Sequence, residues 1–200
     1  MSSQVPVANS GIAARALEYV EQAPLSSLAD SDPIFQRAAR TLVEARQMCL
    51  QAEDWAVSSQ TVPLAKRADY VDPTGAARVA WMMPPNNLTI REVIVDQHPG
   101  TYAQEGQSLL TQAATSVVLR HSVDLDREDQ LGPHLRNAIA LQMAVLLSPY
   151  LSTSRSKRQD LKADLQDAMA DARRYNARAA SWGTWNGEPA NVDWIAEALR

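Results

Sequence analysis

The sequence predicts a mainly α protein: a four-helix bundle with an inserted small antiparallel β module and an extended C-terminal arm. Three features predict it. Two segments with apolar residues every three or four positions precede a middle stretch, and two more follow it. The middle stretch is broken by Pro63, Pro73, Gly75 and Pro84-Pro85, and it carries a β-branched run, LTIREVIV at 88–95. The last twenty residues hold three of the five tryptophans. The chain divides accordingly into helices one and two (1–55), the β-rich insertion (56–123), helices three and four (124–180) and the arm (181–200).

The first helix is expected over 10–22, with Ser10 as N-cap, Ile12, Ala16, Leu17 and Val20 on its inner face, and Pro24 ending it. Asp32 followed by Pro33 opens the second, because proline at the first helical position gives up a donor that has no partner there anyway. That helix runs to about Glu53, and Phe35, Ala38, Ala39, Leu42, Val43, Cys49 and Leu50 mark a buried face that also carries Arg46. From Trp55 the period changes, and Val57, Val62, Val79, Trp81 and Met83 fall in short segments. Residues 88–95 read as a strand and 100–106 as a turn with a short strand around Tyr102. Segments 108–110 and 115–121 complete one small sheet. An acidic helical turn over 124–131 ends at Gly132. Pro133 then starts a third helix to about Ser148, with Leu135, Ile139, Met143, Leu146 and Leu147 inward. Thr153 or Ser154 caps a fourth helix to about Ala180, with Leu161, Leu165, Ala168, Met169, Ala172 and Tyr175 as its stripe. Asp160, Asp164, Asp167 and Asp171 lie on the solvated side. Short connections make neighbouring helices antiparallel.

Composition narrows the function. A formal net charge of −4 disfavours phosphate binding as the main task. The single cysteine, Cys49, cannot form an internal disulfide and reads as a small core residue. MSSQVPVANS has neither a basic nor an apolar leader region, so no signal peptide is expected. The most apolar stretch, 138–151, is interrupted by Gln142, Ser148 and Pro149 and is too short to span a bilayer, so no membrane anchor is expected.

Nothing points to catalysis, a cofactor or a metal. His98, His121 and His134 share no ligand spacing, and there is no P-loop, GxGxxG or GxSxG. Glu44 and Glu92 are the carboxylates considered for a hydrolytic pair; both read as surface charge. Arg155, Lys157 and Arg158 form a small basic cluster that four aspartates follow, which suits a solvated loop or an intersubunit ion pair.

The arm, SWGTWNGEPANVDWIAEALR, is the unusual feature. Gly183, Gly187 and Pro189 prevent a continuous helix, while Asn191 can cap a last short one. Each tryptophan buries about 150–250 Å² when packed. Three of them on a tail with no core of its own must pack on the parent chain or on a partner. Trp182, Trp185, Trp194, Ile195 and Leu199 are therefore the expected protein-interface residues, facing a partner or a neighbouring subunit. Trp182 and Trp185 are placed to anchor the base of the arm on its own or a neighbouring bundle. Trp194, Ile195 and Leu199 are placed for a different protein.

In order and spacing, several short motifs resemble phage head-to-tail adaptors of the tail tubular protein A type. They are Ala16-Leu17, Pro24-Leu25-Ser26-Ser27-Leu28 with Asp30, Trp55, Pro63-Leu64, Leu119-Arg120 with Val123, Pro133 with Leu135 and the 138–147 run, and Leu161, Leu165 and Ala172-Arg173-Arg174. The likeness covers most of the chain at low similarity. Glu21-Gln22 stands where that family often has glycine, and Ala56 where an aromatic is often near. The resemblance implies a virion protein, made in the host cytoplasm. It would form a homo-oligomeric dodecameric ring that docks under the portal protein, contacts a downstream tail or nozzle protein, and passes genomic DNA without specific binding. The competing readings are a small helical DNA-binding or host-regulatory module and a phage-associated peptidoglycan hydrolase.

Overall fold

The structure is a computed structural model, and it describes residues 10–22, 32–72, 77–151 and 153–180, with side chains to 177. The turn at Pro24 and the whole arm, with Trp182, Trp185, Trp194, Ile195 and Leu199, lie outside the described residues.

Four helices form where the periodicity places them: α1 (Gly11–Tyr19), α2 (Pro33–Ala52), α3 (Pro133–Leu147) and α4 (Arg155–Ala180). Their ends have local causes. The Ser10 hydroxyl accepts from the Ala13 amide at 3.0 Å, and the Asp32 carboxylate accepts from the Ile34 amide at 2.7 Å. The Ser154 hydroxyl accepts from the Lys157 amide, so of the two possible caps it is Ser154 that starts α4. A second group serves α1 from far along the chain. The Glu128 carboxylate accepts from the Gly11 amide and from the Ser10 hydroxyl, placing a negative charge at the positive end of the helix. The acidic segment is less helical than expected; only Glu128–Gln130 forms a 3-10 turn.

α3 is the centre of the helical layer. Leu135, Ala138, Ile139, Ala140, Leu141, Met143, Ala144 and Leu147 are all buried, which leaves almost no outward stripe. α1, α2 and α4 each pack on it. Arg37 at the start of α2 meets Tyr150 just past the end of α3, and the His134 ring at the start of α3 lies 5.2 Å from that of Tyr175 late in α4, so α2 and α4 both run antiparallel to α3. Two residues expected inside are turned outward: Val43 is 37% exposed and Tyr175 is 51% exposed.

The fold is nevertheless not mainly α. Helices account for 45% and strands for 25%, the strands forming two antiparallel four-stranded sheets. The chain is a mixed α and β fold, and the expected four-helix bundle with one small sheet is corrected on that point. The strands are β1 (Ser59–Pro63), β2 (Ala65–Lys66), β3 (Arg78–Met82), β4 (Asn87–Val95), β5 (His98–Pro99), β6 (Ala103–Glu105), β7 (Ser108–Gln112) and β8 (Val117–Val123). One sheet has the order β1-β8-β4-β5 and the other β2-β3-β7-β6. Between them lies a second core of Leu64, Trp81, Met83, Val93, Leu109, Val117 and Leu119. β6 falls within the short strand expected over 100–106, whereas the other edge strands escaped the sequence because they are short and polar (SQTVP, AK, HP), with no apolar alternation to announce them. Tyr102 lies just outside β6 and is exposed.

Candidate docking surfaces and the joint between the layers

β4 carries the connection between the two layers. Its register against β8 slips twice, once between Asn87 and Thr89 and once between Ile90 and Glu92, leaving Leu88 and Arg91 as the extra residues of two bulges. Bulges re-aim side chains, and these are the two that reach the helices. Leu88 packs against the helical core, and its carbonyl accepts from Gln51. The Arg91 Nη2 donates to the carbonyls of Leu50, Gln51 and Glu53 at 3.2, 3.1 and 2.5 Å, while its Nε donates to the Ser122 hydroxyl at 2.8 Å. A guanidinium here satisfies carbonyls at the end of α2 that have no partner within the helix, and its charge suits the negative helix terminus.

Further polar ties converge on the same joint. Asn176 of α4 donates to the Asp54 carbonyl and accepts from the Ala56 amide, both at 2.9 Å. Arg173 pairs with Glu53, Arg120 with Asp54, and Arg46 with Asp124 through two hydrogen bonds. Burial alone would raise the Asp124 carboxyl, but the bonds from Arg46 and Gln47 and the Arg46 charge outweigh it and hold it below the usual range. Trp55, 2% exposed, closes the corner with its indole donating to the Cys49 carbonyl. The β layer is thus fixed on the helices by many directional bonds.

Three surfaces stand out around this frame. The first is a hollow at the C-terminal part of α4. Trp55, Leu135 and Ala172 form its floor, and Val57, His134 and Tyr175 its rim. The second is a groove between the start of α2 and the end of α3, lined by Gln36, Arg37, Arg40, Glu44, Leu146 and Tyr150. There the Arg37 guanidinium stacks 3.6 Å from the centre of the exposed Tyr150 ring. The third is the outer stripe of α4, where Asp160, Asp164, Asp167 and Asp171 recur at helical spacing and are all exposed. Asp171 pairs with Arg174; no cation pairs with the other three among the described residues.

The residues weighed for chemistry do not come together. Cys49 is buried, and burial pushes its thiol up to about 12, far from a reactive thiolate. His98 is exposed on β5, His134 is exposed at the start of α3, and His121 is fully buried in β8. Desolvation lowers the His121 pKa, and neither of its ring nitrogens has a hydrogen-bond partner among the described residues. Among the described residues no cluster of three or more His, Cys, Asp or Glu is placed to hold a metal. Glu44 and Glu92 are exposed on separate elements. In the basic cluster, Lys157 pairs within the chain with Glu21 at 3.5 Å. No helix among the described residues is long and apolar enough to cross a membrane.

Compared with known proteins, the chain matches no family model and no curated sequence. Sequence reasoning missed Arg91, Leu88, Asn176 and the Arg37–Tyr150 stack. One signal was present. In LTIREVIV the apolar positions run 88, 90, 93, 94 and 95, and the break in alternation across Arg91-Glu92 coincides with a bulge.

Proposed function

We propose that this chain is a structural virion protein, a head-to-tail adaptor. Its copies stand side by side as a dodecameric ring between a portal and a tail or nozzle protein and continue the channel through which DNA leaves. The motif resemblance supplies the class and the copy number. The observation that carries the reading is the pair of unlike outer faces on the helical layer. A closed ring joins head to tail, so each copy needs two different, complementary surfaces. α4 packs on α3, and α2 packs chiefly on α3 with a smaller contact to α1; their outward faces differ. α4 offers the carboxylates of Asp160, Asp164 and Asp167, while α2 offers Arg37 and Arg40 beside Tyr150. The groove fits an aromatic and arginine contact flanked by ion pairs. Each exposed pair contributes at most about 1 kcal/mol, but it fixes register and partner choice. A net acidic chain also suits a conduit that must let DNA slide.

The test is co-expression with the cognate portal protein, read by native mass spectrometry and negative-stain imaging. Rings of the full chain on the portal are expected. Reversing Asp164 and Asp167 to lysine should abolish them, reversing Arg37 and Arg40 to glutamate should do the same, and combining the two sets should restore assembly. Rings that ignore both reversals would refute the proposed contact. A folded chain that never binds the portal would refute the adaptor reading.

A further inference from the structure

The hollow beside the end of α4 is a small, open depression of about 80 Å³ with a mostly apolar lining, shallow enough that an aromatic ring would lie across it. Its floor is well buried: Trp55 is 2% exposed, Leu135 5% and Ala172 2%. Its rim is open, with Val57 45% exposed and Tyr175 51% exposed beside the exposed His134. The helix that lines it with Ala172, Tyr175 and Asn176 ends at Ala180, and the tryptophan-rich sequence begins directly after. At 1.5 Å per helical residue, Tyr175 lies only about 7–8 Å back along the axis from Ala180. Two or three extended residues cover that distance.

We propose that the segment 182–185 of the same chain folds back into this hollow and covers Val57 and Tyr175 with the Trp185 indole. Burying an indole there removes large apolar surfaces from water on both sides. The tether from Tyr175 to Trp185 is ten residues long, and part of it is helix. A short tether gives an effective local concentration in the millimolar range, so the segment of the same chain prevails over that of a second copy at ordinary concentrations. The fold-back roots the arm on α4 and leaves Trp194, Ile195 and Leu199 to project. It stands whether or not the chain forms a ring.

The test uses the full chain carrying Trp194→Phe. Trp55 and Trp81 are buried, so the fluorescence that acrylamide quenches most readily then reports Trp182 and Trp185. Weak quenching and blue-shifted emission are expected, unchanged across a hundredfold range of protein concentration. Val57→Asp on the exposed rim should raise the quenching constant about twofold or more and shift the emission to the red. Tyr175→Ser should act in the same direction, and far-UV circular dichroism of both variants should match the parent. Strong quenching in the parent that neither substitution changes would overturn the proposal. So would protection that appears only at high concentration, which assigns the hollow to the arm of a second copy. Protection that appears only on adding a separate protein would overturn it as well.

Discussion

Replacing Arg91 by alanine removes a side chain that, alone among the described residues, bonds both to carbonyls at the end of α2 and to a side chain of the central strand β8. Its Nε reaches the hydroxyl of Ser122, which is 0% exposed, and its Nη2 reaches three carbonyls at the end of α2. One Nη2 carries two protons, so those three contacts count as about two full bonds. Hydrogen bonds to a charged group are worth about 1.5–3 kcal/mol each when buried. Water can reach the outer carbonyls once the side chain is gone, and this trims the sum. A loss of about 2–4 kcal/mol follows, which for a domain of this size lowers Tm by roughly 5–15 °C. Urea unfolding followed by circular dichroism measures it, with Arg91→Lys as the control. Lysine keeps the charge but loses the fork, and should recover less than half of the loss. A change below about 0.5 kcal/mol, the range of ordinary surface substitutions, would refute Arg91 as the tie between the layers.

Three further outcomes are expected. His121 is held neutral by burial in the folded chain, so its folded pKa lies below the unfolded value. Its contribution is complete above about pH 6.5 and is lost as pH falls from there toward the folded pKa. Acid titration of stability should show a slope of up to about 1.4 kcal/mol per pH unit in that window, and the slope should vanish in His121→Gln; an equal slope in the variant would assign it elsewhere. Gln97 has φ 73° beside Asp96 at 47° in the β4–β5 turn, a conformation that suits glycine. Gln97→Gly should stabilise the chain by about 0.5–1 kcal/mol, and a clear loss would show that the glutamine side chain makes a needed contact. Cys49 should resist a thiol reagent in the native chain and react fully in urea; rapid native labelling would contradict its burial.

The helices were legible because their signals are local. Ser10, Asp32 and Ser154 mark starts through bonds made within a turn, Pro33 and Pro133 through a backbone already suited to the first helical position, and the stripes of α2 and α4 repeat with the helical period. The β layer was legible chiefly where a strand has two apolar neighbours. β4 and β8 lie in the middle of their sheet and carry the pattern, whereas β2 and β5 exist because a partner offers an edge. That is why one small sheet was expected and two were found. The joint was less legible still. Asn176 and Asp54 are more than a hundred residues apart, and nothing in the helical pattern of α4 distinguishes Asn176 from a solvated polar residue. The outward turn of Val43 has the same origin, since which flank of a stripe is covered depends on where α3 lies. The predicted interface residues Trp182, Trp185, Trp194, Ile195 and Leu199 fall beyond the described part, so the arm still rests on sequence and on the hollow at its root.

Cryo-electron microscopy of virions purified from the source that encodes this chain tests the adaptor reading most directly. The expected density is a dodecameric ring directly beneath the portal. In it the α4 carboxylates of each copy face Arg37 and Arg40 of the next, and residues 194–199 reach the portal. A ring at that level built from another protein, with this chain absent from the purified particle by mass spectrometry, would contradict it.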